Sequence, residues 1–168
     1  MDDIIAAAEI AKGTYYYYFD SKEQMLEEVT DMMIDHEAAN AEQIAASDLP
    51  AAERIIGIIS SFRPQQEEAP ISEVLNRPEN LIMHEKLKKK LIGRMIPILC
   101  GIVEDGIRDG IFDCDHIPER IKILLYIGST LFDEEGYTNN EIEVFMDLTE
   151  KLLGAKKGSM DHISGLIR

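Results

Sequence analysis

Four consecutive tyrosines stand near the N-terminus, within the segment IAKGTYYYYFDSKEQMLEE that runs from Ile10 to Glu28. A tyrosine side chain offers a flat apolar ring and a phenol that can reach a phosphate or a base edge. Thr14 and Lys22 flank the run and add a hydroxyl group and an ammonium group. These groups suit the recognition of phosphates and bases, which is binding chemistry and not catalysis.

Helical spacing divides the aromatic run into two sets. Tyr15 and Phe19 are four residues apart and share a helix face, so we expect them to pack inward. Tyr16, Tyr17 and Tyr18 then fan across the other faces. A small unit cannot bury all four tyrosines, and exposed aromatic side chains indicate a binding surface. The alternative is an aromatic patch that fills a core, and the residues alone leave both interpretations open.

Two short helices must position these side chains. The pattern predicts helices over Asp2–Ala8 and Tyr15–Phe19, with a tight turn at Lys12–Thr14 between them. Two short helices that meet at such a turn form a helix-turn-helix, whose second helix enters the DNA major groove. Ser21 followed by Gln24 fits a capping box and predicts a third helix that continues to about residue 46.

The rest of the chain has helical periodicity, and no stretch alternates convincingly with period two. We therefore predict an all-α fold. A break at Ser47–Pro50 separates the third helix from a helix that starts at Pro50. Further helices are predicted around residues 71–75, over a long stretch from Leu81 to Ile107, from Pro118, and from Asn139 or Asn140 to Gly154. Pro97 should kink the long helix or locally break its hydrogen-bond ladder, and Gly110 should end it. The tail after residue 154 should be loosely held.

Composition narrows the classes of protein. The 168-residue chain carries a net charge of −15, which argues against an extended basic nucleic-acid surface but leaves room for a small local one. Cys100 and Cys114 form no CxxC pair, and the longest near-apolar run is too short to span a membrane. Catalytic and nucleotide-binding motifs are absent from the sequence. We predict a cytoplasmic protein that is not an enzyme and needs no cofactor.

The segment AKGTYYYYFDSKEQMLEEV resembles the signature of the TetR/AcrR family of bacterial transcriptional regulators. The matching positions are Lys12, Gly13, Thr14, Tyr16, Phe19, Ser21, Lys22, Glu23 and Leu26. Parts of residues 76–87 and 97–112 resemble the ligand-binding domain of some members. The resemblance implies a helix-turn-helix with a connecting helix over residues 1–47. It also implies a helical effector-binding and dimerisation domain over residues 48–168.

The resemblance implies roles for individual residues. Positions that approach bases or the groove wall are Lys12, Gly13, Tyr16 and Tyr17, and positions that touch phosphates are Thr14, Tyr18 and Lys22. Tyr15 and Phe19 occupy core positions. The implied function is a regulator, most simply a repressor, that binds operator DNA and is released by a small effector.

Two departures from the family pattern stand at the N-terminus. The family has a full helix before the one predicted at Asp2, and an upstream start, a shortened chain or a true loss would each explain its absence. Glu9 stands where the family has a glycine in a left-handed turn, which costs on the order of 1 kcal/mol. From these departures we expect weak operator binding or none. The alternative function is a ligand-binding, dimerising helical module that has lost DNA binding.

Two further surfaces are predicted in the second domain. A mostly apolar pocket for a small, apolar effector would be lined by Phe62, Met83, Met95, Ile96, Leu99 and Cys100, unless these residues only fill the core. The last two helices carry apolar stripes, so we expect a homodimer with a four-helix bundle at its two-fold axis, in which Gly128 allows close approach. The alternative is that the stripes pack within one chain.

Two clusters of polar residues are predicted to be structural. Asp113–His116 contains metal-capable side chains without the spacing of a zinc site, so we predict a solvated loop and no metal. Lys86, Lys88, Lys89 and Lys90 form the only basic cluster of the sequence. We predict that they form a solvated helix face.

Overall fold

A computed structural model of the chain describes residues 2–61, 80–133 and 137–166. The described ranges contain helices and no strands, which confirms the all-α prediction. In chain order the elements are α1 (Asp2–Ala7), α2 (Lys12–Tyr18), α3 (Lys22–Ala45), α4 (Ala51–Ser61), α5 (Leu81–Arg108), α6 (Ile117–Asp133), α7 (Asn139–Leu153) and a 3-10 helix (Asp161–Leu166). The helix predicted around residues 71–75 lies outside the described residues.

The turn between α1 and α2 lies earlier than predicted. Glu9 has a φ angle of 54°, and Ala11 is the extended N-cap of α2. The prediction that Lys12–Thr14 forms the turn is wrong, because these residues make the first turn of α2. The chain reverses at Glu9 instead, in the left-handed conformation expected there from the family pattern. Glycine is a common turn residue, and this is why the sequence predicts a turn at Gly13, yet the φ angle of Gly13 is not positive.

The connecting helix α3 begins as its sequence predicts. The Ser21 hydroxyl accepts a hydrogen bond from the Gln24 amide at 3.0 Å. The Gln24 side chain accepts one from the Asp20 amide at 2.6 Å, so the reciprocal bond of the cap goes to the residue before the N-cap. These bonds occupy amide groups that a helix N-terminus otherwise leaves unsatisfied. The predicted start of α3 is confirmed.

The main core lies among α3, α4, α5, α6 and α7. Its largest fully buried side chains are Ile55, Ile56, Ile58, Met95, Leu99, Ile102, Ile121, Leu124, Ile142, Phe145 and Leu153. Helix α5 continues through the exposed Pro97 and is not broken there. It ends as predicted at Gly110, whose φ angle is 72°. The Ile111 amide then donates to the Gly106 carbonyl at 2.8 Å, as in a Schellman motif.

The C-terminal tail packs on the core, and the prediction that it is loosely held is wrong for residues 155–166. Met160 and Ile163 are buried. The buried Glu150 carboxylate accepts hydrogen bonds from the amides of Gly158 at 2.7 Å and Met160 at 2.8 Å. A buried carboxylate needs such partners, so Glu150 and the tail hold each other in place.

The loop at Asp113–His116 is confirmed as a connection between helices. The Asp113 amide donates to the Leu153 carbonyl at 3.1 Å, and Arg120 donates to an Asp115 carboxylate oxygen at 2.7 Å. In the described ranges, no group of three potential metal ligands comes together. No described helix is long and apolar enough to cross a membrane.

Candidate nucleic-acid interface

A single buried ring anchors α2. Tyr15 is 1% exposed, and its phenol donates a hydrogen bond to the Ser21 carbonyl at 3.2 Å. Its ring centroid lies 5.4 Å from that of Phe19, which is half-buried. Burial raises the pKa of the Tyr15 phenol, with smaller contributions from Tyr16 and Glu23, so the group is neutral at physiological pH. The predicted inward packing of Tyr15 and Phe19 is confirmed.

The other three tyrosines face solvent. Tyr16 is 49% exposed, Tyr17 is 81% exposed and Tyr18 is 65% exposed. The rings of Tyr17 and Tyr18 pack edge to face with centroids 5.0 Å apart, and Tyr16 packs on Tyr15 in the same manner at 5.2 Å. Such pairs stabilise each other's orientation. The aromatic surface is therefore exposed, and each of its rings packs against a neighbouring ring.

The other predicted DNA-binding residues are also exposed. Lys12, Gly13 and Thr14 form the first turn of α2, and Lys22 is the first residue of α3. No atom lies within 4 Å of a Cβ built on Gly13, so the backbone there is open to a large partner. All seven predicted residues thus lie on accessible surface at α2 and the start of α3.

Two family models match this chain. The model described as bacterial regulatory proteins, tetR family, matches residues 1–29. The model described as tetracyclin repressor-like, C-terminal domain, matches residues 57–151, which is more than half of the chain. This chain belongs to the TetR family. Its helix-turn-helix and its helical second domain are those of the family.

Two curated relatives are similar to this TetR-family chain. The HTH-type transcriptional repressor KstR2 of Rhodococcus jostii is 26% identical over 117 residues, which cover 67% of this chain and 57% of that repressor. The HTH-type transcriptional regulator YhgD of Bacillus subtilis is 25% identical over 140 residues, which cover 80% of this chain and 73% of that protein. The chain thus spans little more than half the length of the Rhodococcus repressor.

Three ion pairs between described residues connect α3 to α5. Lys86 lies 3.5 Å from Glu27, Lys90 lies 2.6 Å from Asp31, and Arg94 lies 3.1 Å from Asp35. We call these six residues the ion-pair ladder. Successive pairs advance four residues on both helices, so α3 and α5 run parallel along it.

The side chains of the ladder are largely exposed, and water and salt weaken such pairs. The hydrogen bond from Lys90 to Asp31 raises the pKa of the Lys90 ammonium group. The predicted solvated lysine face is exposed at Lys86, Lys89 and Lys90, and Lys86 and Lys90 also form ion pairs with acids of α3. The acids on α3 and the cations on α5 both recur every four residues. This match predicts ion pairs only when the two helices are known to be neighbours.

A buried arginine holds the far end of α3. Arg54 is 9% exposed, and its Nη1 donates to the Ala45 carbonyl at 2.8 Å and to Asp105 Oδ2 at 3.0 Å. It therefore joins the last turn of α3 to α4 and α5. Sequence analysis missed this residue, although a single arginine in the otherwise apolar face of α4 was the available signal.

The predicted pocket residues occupy different environments. Met95 and Leu99 are fully buried in the main core, whereas Ile96 and Cys100 are half-buried. Burial raises the pKa of the Cys100 thiol, so the thiol stays protonated at neutral pH. Phe62 lies outside the described residues. Met83 lines a crevice of about 510 Å³ between α3 and α5.

An apolar face remains uncovered on α6 and α7. Ile123 is 50% exposed, Tyr126 39% and Ile127 37%, and on α7 Val144 is 66% exposed. Gly128 lies on the opposite, buried side of α6. The expectation that Gly128 allows close approach of a second chain is therefore wrong, because its face packs within the chain.

Proposed function

We propose that this chain is the DNA-binding and regulatory part of a bacterial transcriptional repressor. It binds operator DNA in the cytoplasm as a homodimer and is released by a small molecule. Residues 1–47 provide the helix-turn-helix and the connecting helix, and residues 48–168 provide effector binding and dimerisation. One observation carries the proposal: three tyrosines of α2 face solvent while a fourth, Tyr15, is buried and fixes them. An exposed aromatic cluster on a rigid element marks a binding surface.

The exposed residues divide by the part of DNA that each contacts. Those assigned to bases and the groove wall are Lys12, Gly13, Tyr16 and Tyr17, and those assigned to phosphates are Thr14, Tyr18 and Lys22. Phosphate contacts position a protein on the duplex, whereas base contacts select the sequence. Because this surface includes only two lysines per subunit, phosphate contacts are few and the tyrosines supply much of the affinity.

The test uses DNA fragments from upstream of the chain's own coding sequence, with binding followed by fluorescence anisotropy. Because the family's first helix and its turn glycine are missing, we expect weak but sequence-specific binding, which Tyr17→Ala weakens further by roughly tenfold or more. Met32→Ala is the matched control, because Met32 is 73% exposed but lies on α3. Equal affinities of the Tyr17→Ala and wild-type chains would contradict the assignment of α2 as the recognition helix.

A second candidate is a ligand-binding, dimerising helical module without DNA activity. It is favoured by the sparse packing of the N-terminal unit, in which the described side chains of residues 4–21 include only two buried ones, Ile5 and Tyr15. The same titration separates the two functions. A folded dimer that binds no fragment above nonspecific background would support the module and sink the repressor.

The exposed apolar face of α6 and α7 supports the homodimer. Two copies of these helices can form a four-helix bundle that covers Ile123, Ile127 and Val144 in both chains. Ile127→Lys would bring two like charges to the two-fold axis, so light scattering should show the mass of a monomer. Met32→Lys is the control and should leave the dimer intact. A wild-type monomer at micromolar concentration would contradict the proposal.

Helix α3 provides the link between effector and DNA. Its last turn is fixed by the buried Arg54, while exposed pairs of the ladder join its first half to α5 beside the crevice that Thr30 lines. Loss of the ladder would let α3 tilt about its fixed end and move α2. Half-sites on DNA lie about 34–36 Å apart, so a small tilt in each subunit would move the two recognition helices out of register.

A further inference from the structure

The crevice of about 510 Å³ between α3 and α5 combines apolar walls with cations. Thr30, Met83 and Leu87 are its buried or half-buried lining. A neighbouring crevice of about 440 Å³ begins on the other side of Lys86 and Lys89 and continues over Leu81, Ile82 and Tyr126. Both crevices thus share the same two lysines at their boundary.

The lining of this crevice contains more cations than acids, although the chain as a whole is acidic. The whole chain carries −15, yet Lys86, Lys89 and Lys90 converge on one crevice that includes a single acid, Glu27. Lys86 and Lys90 are paired with acids of α3. Lys89 forms no ion pair or hydrogen bond with any described residue. A cation without a partner beside an apolar lining fits a ligand that is anionic at one end.

We propose that this crevice binds an anionic amphiphile, an acidic headgroup on an aliphatic chain, and that this ligand is the effector of the proposed repressor. The headgroup pairs with Lys89 and competes with Glu27 and Asp31 for Lys86 and Lys90. The aliphatic chain lies against Met83 and Leu87 and removes their apolar surface from water. The role as effector rests on the proposed function, whereas the binding itself does not.

A bound ligand would act on α3 through the ion-pair ladder. The ladder pairs are exposed, so an anion that enters the crevice can replace an acid of α3 without opening the core. Arg54 continues to hold the other end of the helix. The ligand therefore frees the half of α3 that carries the recognition helix and leaves the second domain folded. The equilibrium between the states with a formed and an open ladder shifts because the ligand binds the open state more tightly.

The site is tested on the DNA-free chain by isothermal titration calorimetry with decanoate. We expect one decanoate per chain, and weaker binding by roughly tenfold or more for decanol and for the cation decyltrimethylammonium. Decyl phosphate distinguishes a carboxylate ligand from a phosphate-headed one. Equal affinity for decanoate and decanol would overturn the proposal, because the lysines would then play no part.

Variants of Lys89 provide a second test of the site by the same titration. Lys89→Met should weaken decanoate binding by roughly tenfold, and Lys89→Arg should retain most of it, since the charge is kept. Lys157→Met is the control, because Lys157 is an exposed lysine that does not line either crevice. Unchanged affinity in Lys89→Met would overturn the site.

A last titration separates this site from the proposed function. We expect decanoate to dissociate the chain from its operator in the wild type but not in Lys89→Met. If decanoate binds through Lys89 but the chain binds no operator, the site stands and the repressor function fails. If operator is bound and decanoate does not bind, the effector assignment fails and the repressor function stands.

Discussion

The N-terminal unit and the second domain are built on opposite plans. The described side chains of residues 4–21 include two buried ones, Ile5 and Tyr15, whereas the main core joins more than twenty buried residues of α3–α7 and the tail. The first exposes three of its aromatic side chains, and the second buries Phe112 and Phe145. The candidate binding surface thus depends on the buried ring of Tyr15, while the main core of the second domain provides most of the stability of the fold. Mutations should therefore separate recognition from global stability.

The largest effect is expected in the main core. Phe145 is 2% exposed, and Phe145→Ala should lower the free energy of unfolding by about 3–5 kcal/mol, because it removes buried surface and leaves a cavity. Urea denaturation followed by circular dichroism measures it. The exposed Leu49→Ala should change the value by less than about 0.5 kcal/mol. Equal effects of the two substitutions would contradict the placement of the core.

A smaller loss is expected where α5 meets the loop after it. Gly106 is buried, and a Cβ at this position would overlap the ring of Phe112. Gly106→Ala should therefore destabilise the chain by about 1–3 kcal/mol, although alanine is the better helix former. Gly93→Ala is the matched control, since a Cβ on Gly93 meets nothing within 4 Å. It should be neutral or stabilising, and a stabilising Gly106→Ala would disprove the close contact.

Tyr15 sharpens the contrast between the two regions. Tyr15→Ala should abolish specific DNA binding and speed hydrogen exchange of α1 and α2, because the anchor of the recognition helix is lost. The main unfolding transition should change little, since the second domain has its own core. Tyr15→Phe should keep the ring packing and lose only the bond to the Ser21 carbonyl, so most affinity should remain. A collapse of the main transition in Tyr15→Ala would show that the two regions unfold together.

The smallest effect depends on pH. The amide and hydroxyl of Thr138 donate to the Glu141 carboxylate, and these bonds lower the pKa of Glu141 from its ordinary 4.5. A lowered pKa means that the Glu141 carboxylate stabilises the fold at pH values above its pKa in the unfolded chain. This contribution is lost as the pH falls through the pKa of the folded chain. Thr138→Ala should therefore lower the melting temperature at pH 7, and the difference from wild type should shrink toward pH 3. A constant difference across this range would contradict the capping box.

The parts of the structure that follow local rules could be predicted from sequence. Ser21 with Gln24 marked the start of α3, Gly154 marked the end of α7, and the four-residue spacing separated Tyr15 from its exposed neighbours. The turn could not be predicted in the same way. Gly13 has the residue type of a turn, yet Glu9 takes the left-handed conformation, which only the family pattern indicated.

Features that depend on contacts between distant helices could not be predicted. The ion-pair ladder requires α3 and α5 to be adjacent and in register, and the sequence of neither helix predicts that arrangement. The two partners of Arg54, the Ala45 carbonyl and the Asp105 carboxylate, lie 9 and 51 residues away in the sequence. The tail lacks helical periodicity, so its attachment to Glu150 was hidden.

Hydrogen exchange of the chain with and without its operator tests the central claim most directly, because it maps the bound surface along the sequence. We expect slower exchange in peptides that cover residues 12–22, where the exposed tyrosines and both lysines lie, and unchanged exchange in the middle of α5. Protection confined to α5–α7, or none at all at DNA concentrations that saturate binding, would contradict the assignment of α2 as the recognition helix.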